Sequence, residues 1–178
     1  MSTELRAGPV SYLVLGIVAL RGPSTPYDLK RFVQLSIGHF WPFPHTQLYA
    51  EPARLAELGL LEETREETGR RRKHYSITES GREVLAEWLG EPVTNPTEYR
   101  DLGLLKLFFG SLLASDDIAS LARAQVAAHE TANADLEKIR AHVESVATPA
   151  QLATLELGLR WNRTAADFWA EVESDPPA

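Results

Sequence analysis

One interruption in an otherwise helical pattern constrains this chain most. Leu60 to Thr68 and Arg71 to Thr78 are rich in Thr, Arg, Tyr and Ile, and Thr68-Gly69-Arg70 supplies a glycine turn between them. That pattern reads as a two-stranded hairpin. Its tip, Gly69-Arg70-Arg71-Arg72-Lys73, is strongly basic. Before it, Pro44 to Leu61 predicts a helix over roughly His45 to Leu58. Its leading part offers His45, Thr46, Gln47 and Tyr49 for hydrogen bonding or stacking. Leu48, Leu55, Leu58 and Leu61 lie at helical spacing for docking on a core, with Gly59 as a helix stop. After the hairpin, Thr78 is placed to cap a helix carrying Val84, Leu85, Trp88 and Leu89 on one face.

Two further helices precede these elements. Residues 9 to 21 are nearly all apolar, with Pro9 suited to a first turn and Gly16 offering close approach to a neighbour. Thr25-Pro26-Tyr27-Asp28 is a strong helix start, and Leu29, Phe32, Val33 and Ile37 then point inward. Two prolines and three aromatics in Gly38 to Pro44 predict a rigid turn pinned to the core. Three helices, a hairpin and a fourth helix make a winged helix-turn-helix. A helix with a polar leading end, followed by a basic hairpin, suits the reading of double-stranded DNA. Pro52 within the third helix removes a backbone donor, at about 3 kcal/mol relative to Ala, so that helix should kink or begin late.

Charge supports this division of labour. Residues 1–90 hold eleven Lys/Arg and eleven Asp/Glu, whereas residues 91–178 hold seven and fourteen, so the whole net charge of −7 arises in the second half. Only the first half is a candidate for touching a polyanion. The absence of cysteine excludes disulfides, thiol catalysis and cysteine-based zinc sites. The histidines at 39, 45, 74, 129 and 142 show no metal spacing, and there is no phosphate loop or nucleophile motif, so neither an enzyme nor a cofactor is expected. The apolar run Tyr12 to Leu20 is too short to span a bilayer, which predicts a cytoplasmic protein with no membrane anchor.

A proline-bearing connector at 90–97 divides residues 1–90, the expected DNA-binding domain, from residues 97–178, an expected α-helical domain. Leu102 to Leu113 is apolar on most sides and should be buried in a dimer or under the last helices. From Ser115 to about Val146, positions 118, 122, 125, 129, 132, 136, 139, 143 and 146 form a seam suited to another long helix. Gln125 and His129 interrupt that seam, as a register device, a hydrogen-bonded core histidine or the lining of a ligand pocket. Thr148-Pro149-Ala150-Gln151 has a capping-box pattern, and the helix it starts carries Leu152, Leu155, Leu159, Trp161, Phe168, Trp169 and Val172. That apolar load argues for a dimer or a cover. Trp41, Trp88, Gln125, His129, Trp161 and Trp169 are candidate lining residues for a small aromatic or hydrophobic effector.

The segments SYLVLGIVALRGPSTPYDLKRF (11–32), HFWPFPHTQLYAEPARLAELGLLE (39–62), RRKHYSITESGREVLAEWL (71–89) and YRDLGLLKLFFGSLL (99–113) resemble the PadR family of bacterial transcriptional regulators. The helical tail resembles that of the larger PadR subfamily, in which it mediates dimerisation. The resemblance implies a homodimeric repressor of an operator near its own or a neighbouring gene, released in some members by a phenolic acid or a drug. Carried over by motif, the DNA-binding positions are Thr46, Gln47 and Tyr49 on the third helix and Arg70, Arg71, Arg72 and Lys73 in the wing. Two positions depart from the family pattern: Ala50 stands where proline usually follows the tyrosine, and Pro52 stands at a usually apolar position. The competing reading is a winged-helix protein-interaction module without sequence-specific DNA binding, which the zero net charge of residues 1–90 and Pro52 both favour.

Overall fold

The computed structural model describes residues 8–41, 44–67, 71–98 and 100–177; the side chains of His39 and His45 lie outside that description. The protein is mainly α-helical with one two-stranded antiparallel hairpin, and it divides into two compact units, Met1–Asn95 and Pro96–Ala178.

In the first unit, α1 (Pro9–Arg21), α2 (Pro26–Leu35) and α3 (His45–Glu57) surround a core of Val14, Leu15, Ile17, Val18, Leu29, Val33, Leu48 and Leu55. The α2 start is a complete capping box. The Thr25 hydroxyl accepts from the Asp28 amide at 3.2 Å, and the Asp28 carboxylate accepts from the Thr25 amide at 3.0 Å. The Thr25 hydroxyl also donates to the Asp28 carboxylate at 2.7 Å, and this bond, followed by the one from the Thr25 amide, holds the Asp28 carboxyl below its ordinary value. The helix stops at Leu35, so Ile37 falls in a following 3-10 turn and is only half-buried. Phe40 and Trp41 are exposed, which corrects the expectation that these aromatics pin the turn to the core. Pro42 and Phe43 lie outside the described residues.

α3 runs from His45 through a fully buried Pro52 to Glu57, so the helix does not begin late. Its end is a Schellman turn. Gly59 takes φ 74°, its amide donates to the Ala56 carbonyl at 3.0 Å, and the Leu60 amide donates to the Leu55 carbonyl at 2.9 Å. The turn swings Leu58 outward, where it is exposed, and brings Leu60 and Leu61 into the core instead.

β1 (Leu61–Arg65) and β2 (Lys73–Ile77) pair from Leu61↔Ile77 to Arg65↔Lys73. A hairpin this short is marginal alone. Here it is anchored by buried Leu61 and Tyr75 and by the α1–α2 connection. The Ser24 amide donates to the Tyr75 carbonyl at 3.0 Å, and the Tyr75 amide donates back to Ser24 at 2.9 Å. Thr78 then starts α4 (Glu79–Gly90), accepting from the Gly81 amide at 3.1 Å and donating to the Gly59 carbonyl at 2.8 Å. Gly81 is demanded by packing, because a Cβ there would lie 2.2 Å from the Leu60 carbonyl oxygen. Gly16, expected to permit close approach, has nothing within 4 Å of a notional Cβ.

In the second unit, Asp101 caps α5 (Leu102–Phe108), and α6 (Ser115–Val143) and α7 (Pro149–Ser174) form a long pair. Apolar groups of the α6 seam meet α7 in two clusters: Ile118 and Ala122 with Trp169 and Val172, and Leu136 with Leu155 and Leu159. Arg123–Glu173 at 2.7 Å, Glu137–Arg163 at 2.7 Å and Arg140–Glu156 at 3.7 Å flank them. Thr148 and Gln151 make the expected capping box. The α6 helix ends at Val143, leaving Val146 of the seam exposed. The run Leu102 to Leu113 is only partly covered by the last helices, through Gly103, Leu107 and Gly110. Leu102, Leu104, Leu105, Phe108, Phe109, Leu112 and Leu113 are exposed, Phe108 and Leu112 by 81% each.

Candidate nucleic-acid interface

The apolar stripe Leu48, Pro52 and Leu55 fixes which side of α3 turns inward. Thr46, Gln47 and Tyr49 consequently all face solvent, Tyr49 with 49% of its surface exposed. None has a side-chain hydrogen bond to another described residue, so their donors and acceptors are available to a ligand.

The same helix is tied to α1 by a polar clasp. Ser11, only 2% exposed, donates to Glu51 Oε1 at 2.6 Å. Arg54 donates from Nη2 to Glu51 Oε1 at 2.6 Å and to Ser11 Oγ at 3.0 Å, and from Nε to Glu51 Oε2 at 3.0 Å. Burial pushes the Glu51 carboxyl up, but the bonds from Arg54 and Ser11 outweigh it and bring the group below its ordinary value. The clasp forms one wall of a shallow cleft of about 470 Å³ that also includes Gly8, Val10, Gln47 and Ala50.

In the wing, the cations fall into two sets. Glu63 lies opposite Tyr75 in the ladder and diagonally from Lys73, within reach of both. It accepts from Lys73 Nζ at 2.9 Å, from the Tyr75 hydroxyl at 3.0 Å and from Arg65 Nε at 3.1 Å. Those bonds, Lys73 first, hold the Glu63 carboxyl low, while burial and the Glu63 carboxylate push the Tyr75 hydroxyl up to about 12. Glu66 in turn accepts from His74 Nε2 at 3.1 Å and from the Arg72 amide at 3.3 Å. Arg71, at φ 49°, and Arg72 are exposed, and their guanidinium groups have no ion pair among the described residues. Arg70 lies outside the described residues. Of the four predicted wing cations, Lys73 is therefore ion-paired, while Arg71 and Arg72 are exposed without an ion pair among the described residues, Arg72 within the electrostatic reach of Glu66 and Asp28.

The six candidate effector-lining residues are divided between the units. In the first, Trp88 stacks face to face on Tyr12, with ring centroids 4.4 Å apart and planes within 4°, and Trp41 is half-exposed. In the second, Gln125 packs over Gly103, where a Cβ would come within 2.8 Å of its Cδ. His129 Nδ1 lies 3.0 Å from Asn162 Oδ1, and Asn162 Nδ2 donates to the Gly158 carbonyl at 3.0 Å. Trp161 is exposed, whereas Trp169 is 1% exposed and belongs to the core. None of the six lines the 470 Å³ cleft or a second one of about 260 Å³ near Arg140 and Leu155. Among the described residues, no group of three or more His, Cys, Asp or Glu could hold a metal ion, and no helix is long and apolar enough to cross a membrane.

Sequence reasoning missed Ser11, Glu51, Arg54, Glu63 and Tyr75. The Glu51–Arg54 pair was readable from its i, i+3 spacing. The Ser11 and Glu63 contacts depend on packing and register, which have no local signature.

Residues 14–87 match the model of the Transcriptional regulator PadR-like family, and residues 99–175 match Virulence activator alpha C-term. The chain is 26% identical over 151 residues to the Negative transcriptional regulator PadR of Bacillus subtilis, covering 84% of this chain and 82% of that one. The crystal structure of Bacillus subtilis PadR in complex with operator DNA superposes with a TM-score of 0.82 at 23% identity, over 93% of this chain and 97% of that one. The structure of the same regulator with p-coumaric acid gives 0.76 at 22% identity, over 94% and 97%. These structural likenesses establish the winged-helix fold.

Proposed function

We propose that this chain, which belongs to the PadR-like family of transcriptional regulators, is a cytoplasmic, homodimeric repressor that binds operator DNA through α3 and the wing. The observation that carries the reading is the pairing of an exposed polar leading end on α3 with the exposed guanidinium groups of Arg71 and Arg72. Thr46 and Gln47 offer contacts to base edges, Gln47 suiting adenine and Thr46 a thymine methyl; Tyr49 and the wing, Arg70 included, offer contacts to phosphates. The relative from Bacillus subtilis is called a negative regulator and has been crystallised with operator DNA, which supports repression as the direction of control.

Residues 1–90 serve as the DNA-binding domain and residues 97–178 as the dimerisation domain. Seven exposed apolar side chains between Leu102 and Leu113, with Leu157, Trp161 and Phe168 on α7, support pairing of two chains. Light scattering of the purified chain at micromolar concentration tests this, with twice the chain mass expected. Two copies also make up for a first half without net positive charge, because each brings its own wing.

A small aromatic effector releases the repressor, a reading supported by the relative crystallised with p-coumaric acid. Its candidate contacts remain Trp41 and Trp88 in the first unit or Gln125, His129 and Trp161 in the second, while Trp169 is committed to the core. Titration of tryptophan fluorescence with a panel of phenolic acids tests it, and a flat response across the panel would remove the proposal. DNA binding itself is tested by gel shift with the region upstream of the protein's own gene at several salt concentrations. Retardation equal to that of shuffled DNA would favour the protein-interaction module, a reading supported by Glu63 neutralising Lys73.

A further inference from the structure

We infer that Glu51 is a specificity-determining residue: by clasping Arg54 against Ser11, it withholds that guanidinium from the DNA backbone and leaves readout to Thr46, Gln47 and Tyr49. The inference rests on the DNA-binding reading above and deepens it.

Arg54 is the sole Lys or Arg of α3. A free arginine that reaches only the phosphates flanking a reading helix adds affinity for all sequences alike and discrimination for none. Here the guanidinium makes two parallel bonds to one carboxylate, at 2.6 and 3.0 Å, and a third to Ser11 at 3.0 Å. A bidentate pair of this kind fixes the planar group in one orientation. The Ser11 hydroxyl, buried in α1, closes the ring by donating to the same carboxylate at 2.6 Å. Glu51 lies one helical turn beyond Gln47, and the two share the cleft between α1 and α3. The carboxylate therefore neutralises Arg54, and the pair offers no net positive charge to a misplaced phosphate beside the reading residues. Ser11 is a positioning residue, holding the Glu51 carboxylate, and through it Arg54, in one orientation.

The test compares the full chain with Glu51→Gln, Ser11→Ala and Glu57→Gln. Glu57 is exposed on the same helix and has no ion pair among the described residues. Each protein is titrated with its own upstream fragment and with a shuffled fragment across a salt series, after circular dichroism has confirmed the fold. For Glu51→Gln, the salt slope on shuffled DNA should steepen by about one per subunit, the value for one added phosphate contact, and the ratio of specific to non-specific affinity should fall several-fold. Ser11→Ala, which keeps every charge, should lower that ratio with no change in slope, and it carries the test if Glu51→Gln does not fold. An unmoved slope for Glu51→Gln, or equal steepening in Glu57→Gln, would overturn the inference while leaving DNA binding intact. Failure of the wild type to distinguish the two fragments would overturn the DNA-binding reading and this inference with it.

Discussion

Replacing Gly81 with alanine should reverse the usual sign of such a substitution. In an exposed helix, Gly→Ala stabilises by about 1 kcal/mol through backbone entropy and propensity. At Gly81 the new methyl would sit 2.2 Å from the Leu60 carbonyl oxygen, 2.9 Å from Ile77 Cγ1 and 3.1 Å from the Leu60 carbonyl carbon. Two of these atoms are backbone and cannot swing aside. Relief to ordinary contact requires the start of α4 to move by about 1 Å, a shift that overpacked cores resist at roughly 1–3 kcal/mol. The same movement strains the Thr78 amide bond to Leu60 at 3.1 Å and the Thr78 hydroxyl bond to Gly59 at 2.8 Å, each worth about 1 kcal/mol. The net expectation is a loss of about 2–4 kcal/mol. Gly16→Ala provides the internal comparison, because its methyl meets nothing within 4 Å and should stabilise by about 0.5–1 kcal/mol. Urea denaturation of both variants, followed by far-UV circular dichroism, reads the two signs as opposite shifts in midpoint. A Gly81→Ala protein as stable as wild type would refute the packing argument.

Other outcomes follow from the same geometry. Ala at Arg71 and Arg72 should flatten the salt dependence of DNA binding by about one per residue per subunit, whereas Lys73→Ala should change it less, because Glu63 already holds that ammonium; gel-shift slopes distinguish the two sets. Thr25→Ala removes the hydroxyl of the α2 capping box and should cost about 1 kcal/mol in the urea midpoint. Asp28 and Glu51 have carboxyls lowered from ordinary values of 3.8 and 4.5, so the unfolded chain takes up their protons first as pH falls. Their contribution is complete above about pH 5 and is lost below it, so the melting temperature should fall on acidification, and less so in Asp28→Asn.

Much of the framework was legible because its signals are local. Thr25 with Asp28, Thr148 with Gln151, and Gly59 after Leu58 announce helix ends through side chains that satisfy nearby backbone groups. The hairpin was legible from its change of period, although its regular ladder spans only Leu61–Arg65 and Lys73–Ile77. What escaped depends on partners far along the chain. Ser24 pairing with Tyr75 involves one residue on its side and leaves no period to read. The need for glycine at 81 rather than 16 is set by where the Leu60 carbonyl falls. Hydrophobicity alone suggested that Leu102 to Leu113 is covered, yet the single chain leaves most of that run exposed. In the interface, the sequence pointed to Thr46, Gln47, Tyr49 and the basic tip, while the carboxylates that restrain Lys73 and Arg54 required register and packing to be seen.

In the proposed complex, α3 and the wing of two paired chains read an operator. Footprinting of the protein on the DNA upstream of its gene tests this most directly. Two protected half-sites are expected, with centres about 34–36 Å apart along the duplex or a multiple of that spacing. Gln47→Ala combined with Tyr49→Ala should abolish the protection in a protein that still folds. No protection by the wild type, or protection that survives both substitutions unchanged, would contradict it.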